Sequence, residues 1–317
     1  MQNKKVMARI HTITLNPAID RILYLDKYRP EVTNRLKDST DGLGGKGTHV
    51  SINLSQMGVP SEALGIAYGE NGRKIIELLS QNLIEVNFQF FPEQESRVNY
   101  LIIEDDGKCT CLSSKGIQLS DSDIDSFIEF IAPGIGTGDY LVFSGDASNC
   151  PDPYVYNKIM RAFEARDLKV FMDASGDTLK KCIEEHPYLI KPNQDELSYL
   201  CGRELRTIED IQEGIKSLEP YGIPVIAVSL GNEGSLVYAD GTFYRVISPE
   251  VNVNNTIGCG DCFLAGLIEG IYKGRSIEDT LAHAAAVSSA CAESVLSVGF
   301  DAGRAEELIK DVEIIKL

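Results

Sequence analysis

The feature that most constrains this chain is an alternation: short runs rich in β-branched and aromatic residues recur along it, separated by segments of about 10–15 residues with apolar positions at helical spacing. Strands joined through helices pair in parallel, by crossovers that cover both faces of the sheet. Strands are predicted at Arg9–Leu15, Ala63–Tyr68, Tyr140–Ser144, Lys169–Asp173, Tyr188–Lys191 and Pro224–Leu230. A hairpin follows, Ser235–Ala239 and Thr242–Ile247, turned by Asp240-Gly241.

One region breaks the alternation. Val98–Ile103 and Lys108–Leu112 are successive strand-like runs joined by Asp105-Asp106-Gly107. With the irregular stretch Ile22–Lys37 they form either a small separate sheet over the ends of the main strands, in the manner of a lid, or a plain edge hairpin. No internal repeat or long linker interrupts the sequence, so it reads as a single domain over residues 1–317, with a lid from segments of about 16–40 and 88–115.

Composition excludes several classes of function. Lys and Arg sum to 30 against 47 Asp and Glu, a formal charge of −17, which argues against a protein that coats nucleic acid or an anionic membrane. Hydrophobic residues at 43% and charged residues at 24% are those of a folded globular chain. The start, MQNKKVMARIHTITL, lacks a secretory apolar run, and no stretch is long enough to span a bilayer, so a cytoplasmic protein is expected. Its eight cysteines are accordingly expected as reduced thiols. Cys109-x-Cys111 and Cys259-x-x-Cys262 have close spacing, but no second CxxC and no HxxxH accompanies them, which argues against zinc.

Two glycine-rich segments point to chemistry. Gly42-Leu-Gly44-Gly45-Lys46-Gly47 has the letters of a dinucleotide fingerprint but follows the polar segment Asn34–Thr40 rather than a strand, and it lacks the Lys-Ser/Thr of a P-loop. It reads as a loop whose backbone approaches a polar ligand, with Lys46 and free amides at the start of a helix over Thr48–Met57. The second, Asn255-Thr-Ile-Gly258-Cys259-Gly260-Asp261, runs into a helix whose Phe263, Leu264, Leu267, Ile268 and Ile271 share one face. Amides from Gly258 to Asp261 at that N-terminus suit a phosphoryl group in transfer, and Asp261 beside them can accept the proton of an attacking hydroxyl. An ordinary helix cap is the competing reading of Asp261.

Lys191-Pro-Asn193-Gln-Asp-Glu196 closes one strand and opens a helix, so Asn193 and Glu196 share a face, where they either hold Mg²⁺ through water or form a capping box. Ser229-Leu-Gly231-Asn-Glu-Gly234 ends the next strand with a turn suited to a nucleotide.

Together these segments resemble the PfkB branch of the ribokinase-like sugar kinases, in particular its group of 1-phosphofructokinases and tagatose-6-phosphate kinases. The resemblance runs through Thr14-Leu-Asn-Pro-Ala-Ile-Asp20, Gly44-Gly-Lys-Gly47, Ser96-Arg-Val-Asn99, Ile190-Lys-Pro-Asn193 with Glu196, Ser229-Leu-Gly231 with Gly234, and Asn255-Thr-x-Gly258-x-Gly-Asp261. It implies an α/β fold, a ribokinase-like three-layer α/β/α sandwich with a mainly parallel sheet and a small β-sheet lid. It implies Asp261 as catalytic base, with Gly258, Cys259 and Gly260 forming the anion hole. Asp20, Gly44, Gly45, Lys46, Arg97 and Asn99 would hold the sugar phosphate, and Lys191, Asn193, Ser229, Gly231, Gly234 and Gly260 would face ATP. Asn193 and Glu196 would organise Mg²⁺, and a homodimer through the lid is implied.

The chain departs from the family pattern at three places. His49 stands where an Asn normally helps bind substrate, and it is expected to bind there through its imidazole. The lid strand Gly107–Leu112 runs into Ser113-Ser-Lys-Gly116-Ile117 where Gly-Pro is usual, and Cys259 replaces the usual Ala. The expected activity is phosphorylation of a ketohexose phosphate, fructose 1-phosphate first and tagatose 6-phosphate or fructose 6-phosphate next. A non-catalytic sugar-phosphate-binding regulator on the same scaffold is the rival from another class.

Overall fold

The protein is described by a computed structural model covering residues 8–145, 147–294 and 298–317. The residues before Ala8, part of the stretch read above for a secretion signal, lie outside the described residues. The strands are β1 (Ile10–Thr14), β2 (Ala18–Leu25), β3 (Asp38–Gly44), β4 (Ser61–Tyr68), β5 (Ile84–Phe91), β6 (Arg97–Glu104), β7 (Cys109–Ser113), β8 (Tyr140–Ser144), β9 (Lys169–Asp173), β10 (Leu189–Ile190), β11 (Val225–Ser229), β12 (Ser235–Ala239), β13 (Thr242–Ile247) and β14 (Glu313–Lys316). The α-helices are α1 (Lys46–Gln56), α2 (Gly69–Ser80), α3 (Asp121–Ile131), α4 (Val155–Ala162), α5 (Gly176–Cys182), α6 (Gln194–Cys201), α7 (Ile208–Ser217), α8 (Cys259–Lys273), α9 (Ile277–Ala292) and α10 (Ala302–Leu308).

The larger sheet has the order β14-β13-β12-β11-β10-β9-β8-β1-β4-β5. It is parallel from β11 to β5, with the antiparallel strands β12, β13 and β14 added at one edge. Alternation within the strands sorts residues to its two faces. Tyr140 and Val142 of β8 pack with Val50 and Leu54 of α1, Phe263, Leu264 and Leu267 of α8, and Leu281 of α9. Leu141 and Phe143 point the other way, into a core with Phe127 of α3, Tyr156 of α4, Leu197 of α6 and Ile215 of α7. Each fully buried side chain of this size contributes roughly 1.5–3 kcal/mol of transfer free energy, so the two helical layers are fixed from both sides of the sheet. The glycines of α8 allow close approach of α9: a Cβ on Gly266 would lie 2.6 Å from the Ala284 Cα, and one on Gly270 would lie 2.5 Å from the Thr280 Oγ1. That packing anchors the helix that begins at the second glycine-rich segment. Among the described residues no helix is long and apolar enough to cross a membrane.

The second sheet has the order β3-β2-β6-β7, so the β6–β7 hairpin belongs to a separate small sheet and not to the edge of the large one. Its boundaries differ from the expected lid segments. Ile84–Phe91 pairs in parallel with β4 along its whole length and belongs to the main sheet, so the lid segment expected from 88 begins at Arg97. The other segment extends beyond 40 to Gly44, and the stretch expected to be irregular from Ile22 is strand as far as Leu25.

The amino-terminal ends of the parallel strands hold a buried ionic cluster. His11, fully buried, lies with Nδ1 2.8 Å from Glu62 Oε2 and Nε2 3.0 Å from Asp139 Oδ2. Burial pushes both carboxyls up, but their polar neighbours outweigh it and hold both below their ordinary values: the His11 ring, the Asn87 amide and the Arg9 charge for Glu62, and the Arg9 amide, the His11 ring and the Gly136 amide for Asp139. Groups depressed in this way stabilise the fold above their unfolded values and lose that contribution as pH falls through the folded ones. Replacing His11 with Leu leaves two buried carboxylates facing each other. Denaturant unfolding at neutral pH is expected to show a loss of about 1–3 kcal/mol, the usual cost of leaving a buried polar group without its partner. An unchanged midpoint would rule out this role.

Candidate active site

The parallel strands share one carboxyl-end side, and the chain reverses direction of travel across the sheet at β1, between β8 and β4. In open α/β sheets the crevice at such a point is where ligands bind. Here the crevice lies beside the small sheet and beneath the start of α1, and a cavity of about 450 Å³ opens there, lined among others by Lys46, His49, Arg97, Asn99, Ser113 and Ser144.

Strand register builds one wall. Asp20 of β2 pairs with Gly42 of β3 and with Asn99 of β6, and Asn99 pairs in turn with Ser113 of β7. Across this row Asn99 Nδ2 donates to Asp20 Oδ1 at 2.8 Å, and the Ser113 hydroxyl donates to Asn99 Oδ1 at 2.9 Å. Burial pushes the Asp20 carboxyl up, with His49, Asn99 and Arg97 opposing it. Arg97 sits at the rim, donating to the Asn16 carbonyl and to the Ser113 hydroxyl and Ser114 carbonyl.

The first glycine-rich loop crosses close against this wall. A Cβ on Gly44 would lie 2.1 Å from Asp20 Oδ1, and one on Gly47 would lie 2.3 Å from the Thr14 Oγ1. Gly45 caps α1 at φ 106°, a conformation that L side chains rarely adopt. These residues are glycine because the loop must pack under β1 and over Asp20 at once.

The second glycine-rich segment begins α8. Gly258 takes the left-handed conformation at φ 78°, and the Cys262 amide donates to its carbonyl at 2.8 Å. That is the first bond of the helical ladder, so the amides of Gly260 and Asp261 have no acceptor inside the helix. A Cβ on Gly260 would meet Lys191 Nζ at 3.4 Å, which places that ammonium over the same helix end. Asp261, 5% exposed, sits in the first turn.

His49 bridges the two glycine-rich segments. Its Nε2–H donates to the Leu43 carbonyl at 2.9 Å, and Nδ1 lies 2.9 Å from Asp261 Oδ2. Both ring nitrogens are thus used inside the protein. The hydrogen bond to substrate expected of this imidazole has no nitrogen left to make it, although the ring lines the cavity.

The basic residues converge on Asp173, which sequence reasoning left as the last residue of a strand. Its carboxylate is 2% exposed, 3.6 Å from Lys46 Nζ and 3.3 Å from Lys191 Nζ. Its charge outweighs the opposing effect of burial and, with the lesser charges of Asp261 and Glu196, holds the Lys46 ammonium above its ordinary value. The signal available was an acid at the carboxyl end of a buried strand. Ser113 was missed as well, since nothing in its local sequence marks it as the partner of Asn99.

Asn193 and Glu196 form a reciprocal capping box at the start of α6: Asn193 Oδ1 accepts from the Glu196 amide, and Glu196 Oε2 accepts from the Asn193 amide, each at 2.8 Å. Asn193 also bridges to Ser229, so the ends of β10 and β11 lie side by side. Gly231 at φ 62° and Gly234 at φ 86° shape the turn that follows, and a Cβ on Gly234 would strike the Val246 carbonyl at 2.1 Å. The Cys259 and Cys291 thiols act on one another, the Cys291 thiol donates to the Ile257 carbonyl, and all eight cysteines are free thiols.

The chain is 30% identical over 270 residues to the 1-phosphofructokinase of Bacillus subtilis, covering 85% of this chain and 88% of that one. It is 30% identical over 292 residues to the 1-phosphofructokinase of Escherichia coli strain K12, covering 92% and 93%. Among solved structures, phosphofructokinase-2 from Escherichia coli in complex with potassium superposes with a TM-score of 0.90 at 23% identity, covering 96% of this chain and 99% of that one. Residues 13–299 match the description pfkB family carbohydrate kinase, and the chain belongs to that family.

Proposed function

We propose that this kinase phosphorylates fructose 1-phosphate on its 6-hydroxyl, using MgATP, to give fructose 1,6-bisphosphate. The observation that carries the reading is the cavity lined by Lys46, Arg97, Asn99 and His49, with Asp20 hydrogen-bonded to Asn99 and Asp261 hydrogen-bonded to His49 behind that lining. A neutral sugar calls for hydroxyl partners such as Asp20 and Asn99 but not for two cations, whereas a sugar phosphate calls for both. The names of the curated relatives support the same acceptor.

In this reading Asp261 Oδ1 takes the proton of the acceptor hydroxyl as its oxygen bonds to the γ-phosphorus. The bond from that phosphorus to the β–γ bridging oxygen breaks, and ADP leaves with the electron pair. The Gly260 and Asp261 amides, together with Lys191, face the charge on the transferred group. Ser229, Gly231 and Gly234 form the nucleotide side.

The residues present fit Mg²⁺ through water. Among the described residues no group of three or more His, Cys, Asp or Glu side chains could hold a metal directly. The capping box uses Asn193 Oδ1 and Glu196 Oε2, which leaves Glu196 Oε1 for a hydrated cation, and Mg²⁺ keeps several of its waters. Glu196 would hold the hydrated ion, which would supply neutralisation of phosphate charge when bound with ATP, and Lys46 and Lys191 supply the remaining positive charge.

A homodimer through the small sheet is part of the proposal. Tyr100 and Leu112, paired across β6 and β7, are 40% and 52% exposed on its outer side.

ADP release with MgATP against fructose 1-phosphate, fructose 6-phosphate, tagatose 6-phosphate, fructose, ribose and adenosine tests the reading. The highest kcat/KM is expected with fructose 1-phosphate. A preference for another sugar phosphate would reassign the acceptor, and no turnover at all would favour the binding-protein alternative.

A further inference from the structure

We propose that His49 is a positively charged positioning residue for Asp261: Nε2–H is held by the Leu43 carbonyl, and Nδ1–H donates to Oδ2 and fixes the carboxylate with Oδ1 left for the acceptor hydroxyl. The inference rests on the reading of Asp261 as the base and goes beyond it.

The argument is one of proton counting. A backbone carbonyl has no proton to give, so the 2.9 Å contact between Nε2 and Leu43 requires a proton on Nε2. The 2.9 Å contact between Nδ1 and Asp261 Oδ2 requires a second proton between two atoms that would otherwise face each other with lone pairs. With Asp261 ionised, both protons belong to the imidazole. An Asn, the residue expected here from the family pattern, would donate to Asp261 but carry no charge.

The surroundings favour the charged ring. His49 is 5% exposed and faces Asp261 from α8 and Asp20 from β2, while Arg97 from β6 acts on Asp20 and Lys46 from the same helix acts on Asp261. Burial pulls the imidazole down, but the Asp261 hydrogen bond, the charges of Asp261 and Asp20 and the Leu43 carbonyl outweigh it, so the ring is held above its ordinary value. Two thiols also sense Asp261. Cys259 is raised by its bond to Cys291 and by burial; in Cys291 the bond to Cys259 lowers, and the bond to Cys262 and burial more than offset it. Both stay protonated through the range in which the imidazole titrates.

The charge has a use in this site. ATP and a sugar phosphate both bring anions to a cavity already backed by two carboxylates, Asp20 behind Asn99 and Asp261 behind His49. The imidazolium offsets the negative charge of Asp261 and Asp20 without displacing them while phosphates gather in the site. A group raised in this way contributes fully below its ordinary value, and the contribution is lost as pH rises through the raised one. Once the ring loses a proton, only one of its two contacts keeps a hydrogen, so either Oδ2 or the Leu43 carbonyl faces a lone pair and the link from the Leu43 carbonyl through the ring to Asp261 is broken.

The test combines kinetics with spectroscopy on the full chain. In the wild type kcat is expected to fall on the alkaline side with a limiting slope of about tenfold per pH unit. In His49→Asn, which keeps a donor to Asp261 but cannot titrate, that limb is expected to vanish, with a lower kcat at neutral pH. The same alkaline limb in both proteins would overturn the proposal. Independently, ¹⁵N shifts of the His49 ring are expected to show both nitrogens protonated at pH 7 in the wild type, and only Nε2 protonated in Asp261→Asn, whose amide donates to Nδ1. A neutral ring in the wild type at pH 7 would refute the charged dyad. If no sugar phosphate is turned over, the kinase reading fails by itself, and the ring spectrum still decides the state of His49.

Discussion

Asp261→Asn is expected to lower kcat by at least about 10²-fold, on the order of what a positioned general base contributes. The replacement is close to isosteric, and the surrounding structure can absorb it. Its amide donates to His49 Nδ1, the imidazole keeps Nε2–H on the Leu43 carbonyl, and the first turn of α8 with its Gly258 cap is unchanged. What is lost is an oxygen able to take the proton of the acceptor hydroxyl. Binding of sugar phosphate, followed by calorimetry, is expected to stay within a few-fold of wild type, since Arg97, Lys46 and Asn99 remain in the cavity. Steady-state kinetics check the first half of the expectation. A variant with kcat within tenfold of wild type would remove Asp261 from the role of base and return it to that of a helix cap.

Much of this fold was legible in the sequence because the informative pattern is local. In β8, β9, β12 and β13 the predicted and observed ranges coincide, since each is a short apolar run closed by a turn. What escaped depends on distant partners. Ile84–Phe91 carries polar Glu85, Asn87 and Gln89 between its apolar residues, so its own pattern suits either sheet, and its register with β4 decides the matter. Glu313–Lys316 is too short to announce itself and exists as β14 only through β13. Asp38–Gly44 is polar and ends in glycines; it is a strand because β2 lies beside it.

The site divides in the same way. The glycine-rich segments, Asp20, Arg97 and Asn99 carry their meaning in order and spacing, and the structure gathers Lys46, Arg97 and Asn99 around one cavity with Asp20 hydrogen-bonded to Asn99. Asp173 and Ser113 matter only because of residues far away in sequence that they touch. His49 is the instructive case. Its position in the first turns of α1 could be read from sequence, but its partners, Asp261 at a separation of 212 residues and the Leu43 carbonyl, could not. Where an imidazole spends its nitrogens decides whether it binds substrate or serves the base, and that is a tertiary fact.

Gly44→Ala is expected to raise KM for the sugar phosphate by about 10- to 100-fold, the equivalent of one hydrogen bond to a charged group, while KM for ATP changes little. The added methyl carbon would lie 2.1 Å from Asp20 Oδ1, 2.6 Å from its Cγ and 3.1 Å from the Ala18 Cβ, so the carboxylate must swing away. Moving it breaks the 2.8 Å bond from Asn99 and strips that wall of the cavity of its acceptor for sugar hydroxyls. The strand itself can persist, because Ala18 still pairs with residue 44 through backbone groups and φ at Gly44 is not positive. The proposed nucleotide side lies on β10, β11 and the start of α8, and the three atoms nearest to that methyl all belong to β2. Initial-rate kinetics with each substrate varied in turn separate the two effects. A rise in KM for ATP equal to that for the sugar phosphate would mean that the loop acts on the whole site; unchanged constants for both would mean that Asp20 does not hold the sugar.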